Sequence, residues 1–231
     1  IQVSDYPQLN ICGLHIFQWG NMLSTEKLAE LWRAMIAPLQ SLSKQLGFDL
    51  RILDLGGGLG IPYCASSTEL VWQELVDALA TIKHAVGCEE LWMELGRYAV
   101  GEVGFYANPV VEQKQNYGAN QLIVAGGINH ILRPAVTNQA FPAELLRETD
   151  SKTKPYLVHG PLCTALDSLG QFELANDIND TDWLIFAQCG AYGFTESMPY
   201  FLCHELPAEF IVKNGVVTCV RQSESADYYL R

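Results

Sequence analysis

Over the first hundred positions, short apolar runs alternate with stretches of helical periodicity. NICGLHIF (10–17) is apolar and bounded by polar residues, which predicts a buried strand. From Thr25 onward, Leu28, Leu31, Trp32, Met35, Leu39 and Leu42 recur at helical spacing. Ser24 is the candidate N-cap, Gly47 the stop and Pro38 a possible kink. A second strand is expected over 51–55, a second amphipathic helix from Ser67 to His84, and a third strand, LWMEL (91–95), ending at Gly96-Arg97. Strand–helix alternation of this kind predicts parallel strands joined by crossover helices.

Beyond residue 100 the texture changes. Short β-like runs occur at Gln121–Ala125, Tyr156–Val158, Trp183–Phe186, Glu209–Val212 and Val216–Arg221, separated by Asn, Gly and Pro turns. Lys213-Asn214-Gly215 is a hairpin signal. The polar stretch Thr137–Lys154 reads as a loop with a short helical turn. No internal repeat or low-complexity tract is seen. The expected organisation is α/β plus β, with an α/β part over 1–103 and a mostly antiparallel β domain over 104–231.

A chain of 231 residues, 49% apolar, is long enough for a substantial core. Its net charge of −12 argues against nucleic acid and anionic membrane surfaces as partners, both of which attract basic patches. No apolar run reaches membrane-spanning length. The first residues show neither a starting Met nor a signal pattern, so a fragment of a longer polypeptide is expected. The seven cysteines are scattered without a C-x-x-C pair, which suits free thiols in a reducing cytoplasm. The five histidines are equally dispersed and give little support for a metal site.

Candidate chemistry gathers at the strand ends, where α/β barrels carry their functional groups. The second strand runs into Gly56-Gly57-Gly58. Consecutive glycines permit positive φ and turn several N–H groups toward one point, a concavity suited to phosphate. A plain tight turn is the other reading. No Gly-Lys-Ser/Thr follows, and G-x-G-x-x-G spacing fails, so this is neither a Walker loop nor a dinucleotide fingerprint. The first strand end carries His15 and Phe17, and the third carries Glu94, Gly96 and Arg97. An aromatic or imidazole face, a phosphate cradle and a carboxylate–guanidinium pair together fit a flat, phosphorylated, nitrogen-bearing cofactor.

Five ordered segments carry a resemblance: GLHIFQWGN, LDLGGGLGIPY, MELGRYAVGEVG, GGINHILRP and GPLCTALDSLG, followed by CGAYGFTESMPYF. Together they resemble the C-terminal part of the fold-type III pyridoxal-phosphate decarboxylases, including the diaminopimelate, ornithine and arginine enzymes and their siderophore-pathway relatives. The resemblance implies the last three strand–helix units of a (β/α)8 alanine-racemase-like barrel, followed by the β domain. It implies that Gly56, Gly57 and Gly58 bind the cofactor phosphate and that Glu94 pairs with the pyridine nitrogen. Gly96 and Arg97 complete that motif, with Arg97 toward phosphate or a substrate carboxylate. Tyr192 is implied at the phosphate, and Arg133 at a substrate carboxylate, although a surface arginine is the alternative. His15 and Phe17 stand in the family's His-x-His segment, with Phe17 in place of a ring-stacking histidine. Cys163 matches a thiol that reprotonates the substrate carbon after carbon dioxide leaves, reaching into the neighbouring subunit, so a homodimer with shared sites is implied. A buried, inert cysteine is the competing reading.

Two departures qualify the resemblance. The Schiff-base lysine of the family lies in an early barrel strand, and none of the seven lysines here has that setting. A preceding segment carrying the lysine is therefore expected, and the chain alone should be inactive. Relatives acting on diaminopimelate or ornithine carry an acidic residue after the cysteine, whereas this chain has neutral Thr164. Loss of that carboxylate points away from a distal ammonium and toward an acylated or carboxylate-rich amino-acid conjugate. A binding protein derived from the decarboxylases and a racemase on the same cofactor are the alternatives.

Overall fold

The computed structural model describes residues 2–64, 67–225 and 227. The chain divides into two compact units, Ile1–Val100 and Gly101–Arg231. The first holds a three-stranded parallel sheet in the order β1 (Gly13–His15), β2 (Ile52–Asp54), β3 (Glu90–Trp92), with helices α1 (Thr25–Leu46) and α2 (Trp72–Val86) as crossovers. Leu14, Leu53 and Leu91 pair across the sheet and pack with Leu28, Trp32, Leu39, Leu75 and Ile82 of the helices. Because successive strand residues point to opposite faces, the same register puts His15 and Asp54 on the face away from that core.

Helix α1 begins and ends as its sequence predicts. Ser24 Oγ accepts from the Lys27 amide at 3.2 Å, and Gly47 closes the helix in the left-handed region. Pro38 lies inside it without dividing it. Three expectations are corrected. The 10–17 run forms only a three-residue, partly buried strand at the sheet edge, with Ile11 and Phe17 exposed. Helix α2 starts at Trp72 rather than Ser67, because the Ser67 amide bonds the Cys64 carbonyl and Leu70 is drawn into the core. Strand β3 stops at Trp92, after which Leu55 and Glu94 exchange irregular bonds with Trp92 and Gly56. A short helix α3 (Arg97–Val100) ends the unit.

The second unit is built on a six-stranded sheet. Its strands are β4 (Tyr106–Asn116), β5 (Ala119–Val124), β6 (Ala143–Leu145), β7 (Thr153–His159), β8 (Ser168–Ala175) and β9 (Trp183–Phe186), in the order β6-β9-β4-β5-β7-β8. Every pairing is antiparallel except β5 with β7. Strands β10 (Glu209–Lys213) and β11 (Val216–Arg221) form a separate hairpin whose turn residues Asn214 and Gly215 both have positive φ. That is the two-residue turn the sequence signals.

Three strands, β4, β8 and β6, were not evident in the sequence. Half of β4 is exposed on both faces and a proline, Pro109, lies within it, so neither alternation nor an apolar run marks it. In β8, Val158 and His159 face Gly170 and Ser168, so Leu169 is an extra, bulged residue that breaks the two-residue period. The expected loop over 137–154 is also corrected. Its helical turn, α4 (Arg133–Thr137), comes earlier, and β6 lies within it as an edge strand on β9. At that junction Arg147 donates to Asp182 at 2.7 Å and to Asp177 at 3.2 Å, which holds both carboxyls below the usual carboxylate range.

Phe186 centres the second core. It is fully buried, with its ring 5.8 Å from Phe172 in an edge contact and 6.0 Å from Tyr106. Phe186→Ala is expected to destabilise this unit by about 3–5 kcal/mol, because a phenyl-sized void cannot be closed by a sheet. A denaturant titration checks this, and a loss below about 1 kcal/mol would mean that the site collapses freely.

Candidate functional site

The carboxyl ends of the three parallel strands bring His15, Asp54 and Glu94 together. His15 Nε2 lies 3.4 Å from Glu94 Oε2. One ligating atom from each of the three side chains falls within 4.8 Å of the others. Strand register explains the convergence: His15 pairs with Asp54 and Asp54 with Trp92, while the Glu94 amide donates to Gly56 O at 2.9 Å. The His15 and Glu94 side chains are half exposed, so the carboxylate faces solvent rather than a core.

The glycine turn sits against the same residues. Gly56 and Gly58 have φ of 66° and 108°, and neither has room for a side chain. A Cβ on Gly56 would press on Ile16 O, His15 Nε2 and Phe17. One on Gly57 would meet Glu94 O at 2.8 Å, and one on Gly58 would meet Trp19 O at 2.6 Å. The Gly56 amide donates to Asp54 Oδ1 at 2.8 Å. That Asx-type bond corrects the expectation that all three amides face an anion, since Gly56 is already committed. Among the described residues the amides of Gly57 and Gly58 carry no hydrogen bond. Phe17, 61% exposed, lies alongside the turn. Arg97 is buried, with Nη1 donating to the Tyr63 hydroxyl at 2.8 Å and the guanidinium 5.4 Å from that ring. Gly96 has open space around it.

Within the second unit, Arg133 opens α4. Its Nη1 donates to both Glu196 carboxylate oxygens at 2.9 and 3.3 Å, and its guanidinium stacks 4.8 Å over the Tyr192 ring. The Met198 amide, donating to Ile128 O at 3.0 Å, ties the Glu196 segment to the turn before Arg133. That turn, 126–131, is braced throughout. Asn108 exchanges two bonds with Gly126, Asn129 Oδ1 accepts from Gly127, and Asp167 Oδ1 accepts from Ile128. His130 joins it to Tyr106 at 2.7 Å and to Glu205 O at 3.0 Å. A carbonyl only accepts, so His130 Nε2 carries the proton and Nδ1 accepts from the Tyr106 hydroxyl. Burial lowers the His130 pKa and raises that of Tyr106, so this pair is a neutral strut. Burial likewise pushes the Cys189 thiol up to about 12. Cys163, by contrast, is exposed on the 160–167 loop, where Thr164 Oγ1 accepts from the Leu166 amide at 3.3 Å.

Residues 16–190 match the family described as "Pyridoxal-dependent decarboxylase, C-terminal sheet domain". The chain belongs to that family. It is 30% identical over 226 residues to diaminopimelate decarboxylase of Aquifex aeolicus, covering 97% of this chain and 53% of the relative. It is 27% identical over 217 residues to 2-[(L-alanin-3-ylcarbamoyl)methyl]-2-hydroxybutanedioate decarboxylase of Staphylococcus aureus, covering 89% and 54% respectively. A crystal structure of an Aquifex aeolicus protein superimposes with a TM-score of 0.86 at 28% identity, covering 98% of this chain and 56% of that one. The chain thus spans about half the length of the curated relatives it matches.

For a member of the pyridoxal-dependent decarboxylases, the grouping at the strand ends has a chemical fit. The turn that a Cβ would fill leaves two unbonded amides for an anion, and a solvent-facing carboxylate stands beside it. Of the residues singled out in the sequence, His15, Phe17, Gly56, Gly57, Gly58 and Glu94 come together in the first unit. Arg133 and Tyr192 come together in the second, while Cys163 and Thr164 share a loop. Sequence reasoning missed Asp54, Glu196 and the bracing set Tyr106, Asn108 and His130. Only Asp54 had a visible signal, as the last strand residue before the glycines. Cys12, Cys88, Cys163, Cys189, Cys203 and Cys219 are free thiols. No helix among the described residues is long and apolar enough to cross a membrane.

Proposed function

We propose that the complete protein containing this chain is a pyridoxal-phosphate-dependent decarboxylase of an amino acid or amino-acid conjugate, releasing carbon dioxide and an amine. The observation that carries this reading is the Glu94 carboxylate standing beside the glycine turn. Gly57 and Gly58 would hold the phosphate through their amides. Gly56 shapes the turn, and Gly96 and Arg97 support the Glu94 segment. Phe17 and His15 offer faces for a flat ring; a phenyl can stack but cannot donate a hydrogen bond. Bound pyridoxal phosphate supplies an electron sink for the carbanion left when carbon dioxide departs. Glu94, as a carboxylate, favours a protonated ring nitrogen, which strengthens that sink. Arg133, with one guanidinium nitrogen held by Glu196, keeps its other nitrogens for a substrate carboxylate. Cys163, exposed on its loop, can deliver a proton to the substrate carbon. A homodimer in which this loop completes a neighbour's site is part of the proposal, as is a cytoplasmic location.

The substrate proposed is a carboxylate-rich conjugate rather than a diamino acid. Thr164 turns its hydroxyl onto its own loop and offers no negative charge to a distal ammonium. The relative from Staphylococcus aureus is named for such a conjugate. The complete protein should therefore release carbon dioxide from a citryl-linked diamino acid with kcat/KM about tenfold or more above that for diaminopimelate, lysine or ornithine. Efficient turnover of diaminopimelate alone would overturn the substrate assignment. Inversion of a stereocentre without carbon dioxide release would instead make the protein a racemase.

A further inference from the structure

We propose that Asp167 is a positioning residue that sets the Cys163 loop and the Arg133 turn relative to each other. The inference rests on the decarboxylase reading for its chemistry, and on the second unit alone for its geometry.

Asp167 is only 3% exposed, and no ion pair found among the described residues involves it. Its charge is met instead by two backbone donors from different segments. Oδ1 accepts from the Ile128 amide at 2.8 Å, and Oδ2 accepts from the Leu162 amide at 2.7 Å. Leu162 immediately precedes Cys163, and Ile128 lies in the turn that leads into Arg133. The carboxylate is therefore a two-ended clamp, with one oxygen for each functional segment. The segments are shaped around it, because a Cβ on either Gly127 or Gly160 would overlap the Asp167 carboxylate. Its main chain closes the same loop. The Asp167 amide donates to Thr164 O at 3.1 Å, and Asp167 O accepts from Gly160 at 3.2 Å.

Charge-assisted bonds of this kind are short and strong, and removing one leaves a buried amide unsatisfied. Few substitutes can serve. Glutamate is a methylene too long for a site already in contact with two glycines. Asparagine keeps the shape but has one acceptor oxygen, so its NH2 group must face one of the two amides. Asp167→Asn is thus expected to release one segment while leaving the rest of the sheet in place. The consequence is specific: Cys163 and Arg133 lose their fixed separation, and a proton donor misplaced by about 1 Å can cost up to 10²-fold.

The test compares Asp167→Asn with Arg147→Gln in the complete protein, the latter removing a structural ion pair at the β6–β9 junction. Two quantities are read: kcat and KM separately, and the rate at which iodoacetamide alkylates Cys163, with exposed Cys203 as internal reference. Asp167→Asn should lower kcat about 10–100-fold and change the Cys163 rate about threefold or more relative to Cys203. Arg147→Gln should move neither, even if it lowers Tm as much. An unchanged Cys163 rate and kcat in folded Asp167→Asn protein would overturn the proposal. Hydrogen exchange on the unmodified protein gives a second measure that no variant can spoil. The Ile128 and Leu162 amides should be protected to the same degree, and fast exchange at one alone would also overturn it. If the unmodified protein releases no carbon dioxide from any amino acid, the decarboxylase reading falls, while alkylation and exchange still decide the role of Asp167.

Discussion

Glu94→Gln should lower kcat of the complete protein by about 10²-fold or more while leaving its Tm within about a degree or two. The two halves of this expectation come from different observations. The Glu94 side chain is 59% exposed and is not part of the leucine-lined core of the first unit. Surface substitutions of that kind change stability by about 0.5 kcal/mol or less. What Glu94 does have is a place. Its amide is bonded to Gly56 O, and its carboxylate is 3.4 Å from His15 Nε2, beside the turn assigned to the cofactor phosphate. Glutamine preserves the shape and removes the charge, so a ring nitrogen opposite it would no longer be kept protonated. Losing one preorganised electrostatic contact of this type costs about 10²–10³ in rate. Steady-state kinetics with a melting curve measures both halves, and binding of pyridoxal phosphate followed by absorbance adds a readout independent of turnover. A variant retaining more than about a third of wild-type kcat would remove Glu94 from the chemistry.

Sequence patterning disclosed the first unit well, because its elements obey single rules. Helix α1 has a periodic face, a serine at its start and a glycine at its end, and each feature performs the predicted task. The strands of the parallel sheet were recognised but overextended, since apolarity continues past the point where hydrogen bonding stops. In the second unit local signals lost to tertiary ones. Strand β9 and hairpin β10–β11 were legible, but β8 hides behind a bulge at Leu169 and β4 behind Pro109 and a polar tail. The candidate site shows the same division. Glycines, Glu94 and Cys163 announce themselves by motif. The partners that hold functional groups in place do not. Asp54 occupies a glycine amide two residues on, a local bond, whereas Glu196 engages Arg133 and Asp167 reaches Ile128 across separations that no local pattern encodes.

Gly58→Ala should cost the protein both stability and cofactor binding, whereas Gly96→Ala should leave stability unchanged. The contrast isolates what the glycine turn contributes. Gly58 has φ of 108°, a region an L-residue enters at a cost of about 1–3 kcal/mol. A Cβ there would also lie 2.6 Å from Trp19 O, and a backbone carbonyl cannot swing away as a side-chain tip can. Relief must come from the chain itself. Gly58 O accepts from the Met22 amide at 2.8 Å and Met22 bridges Leu59, so any shift loosens the segment that carries Phe17 and Trp19. Together these effects predict a loss of about 2–4 kcal/mol in the first unit and a rise of about tenfold or more in the Kd for pyridoxal phosphate. Gly96 has neither constraint: its φ is not positive and nothing lies within 4 Å of a built Cβ. Its alanine variant should unfold within about 0.5 kcal/mol of the parent. If Gly96→Ala nonetheless weakens cofactor binding, the added methyl must meet the cofactor itself, which would place Gly96 at the contact surface. If Gly58→Ala binds pyridoxal phosphate as tightly as the parent, the glycine turn is a structural corner, and the phosphate is held elsewhere.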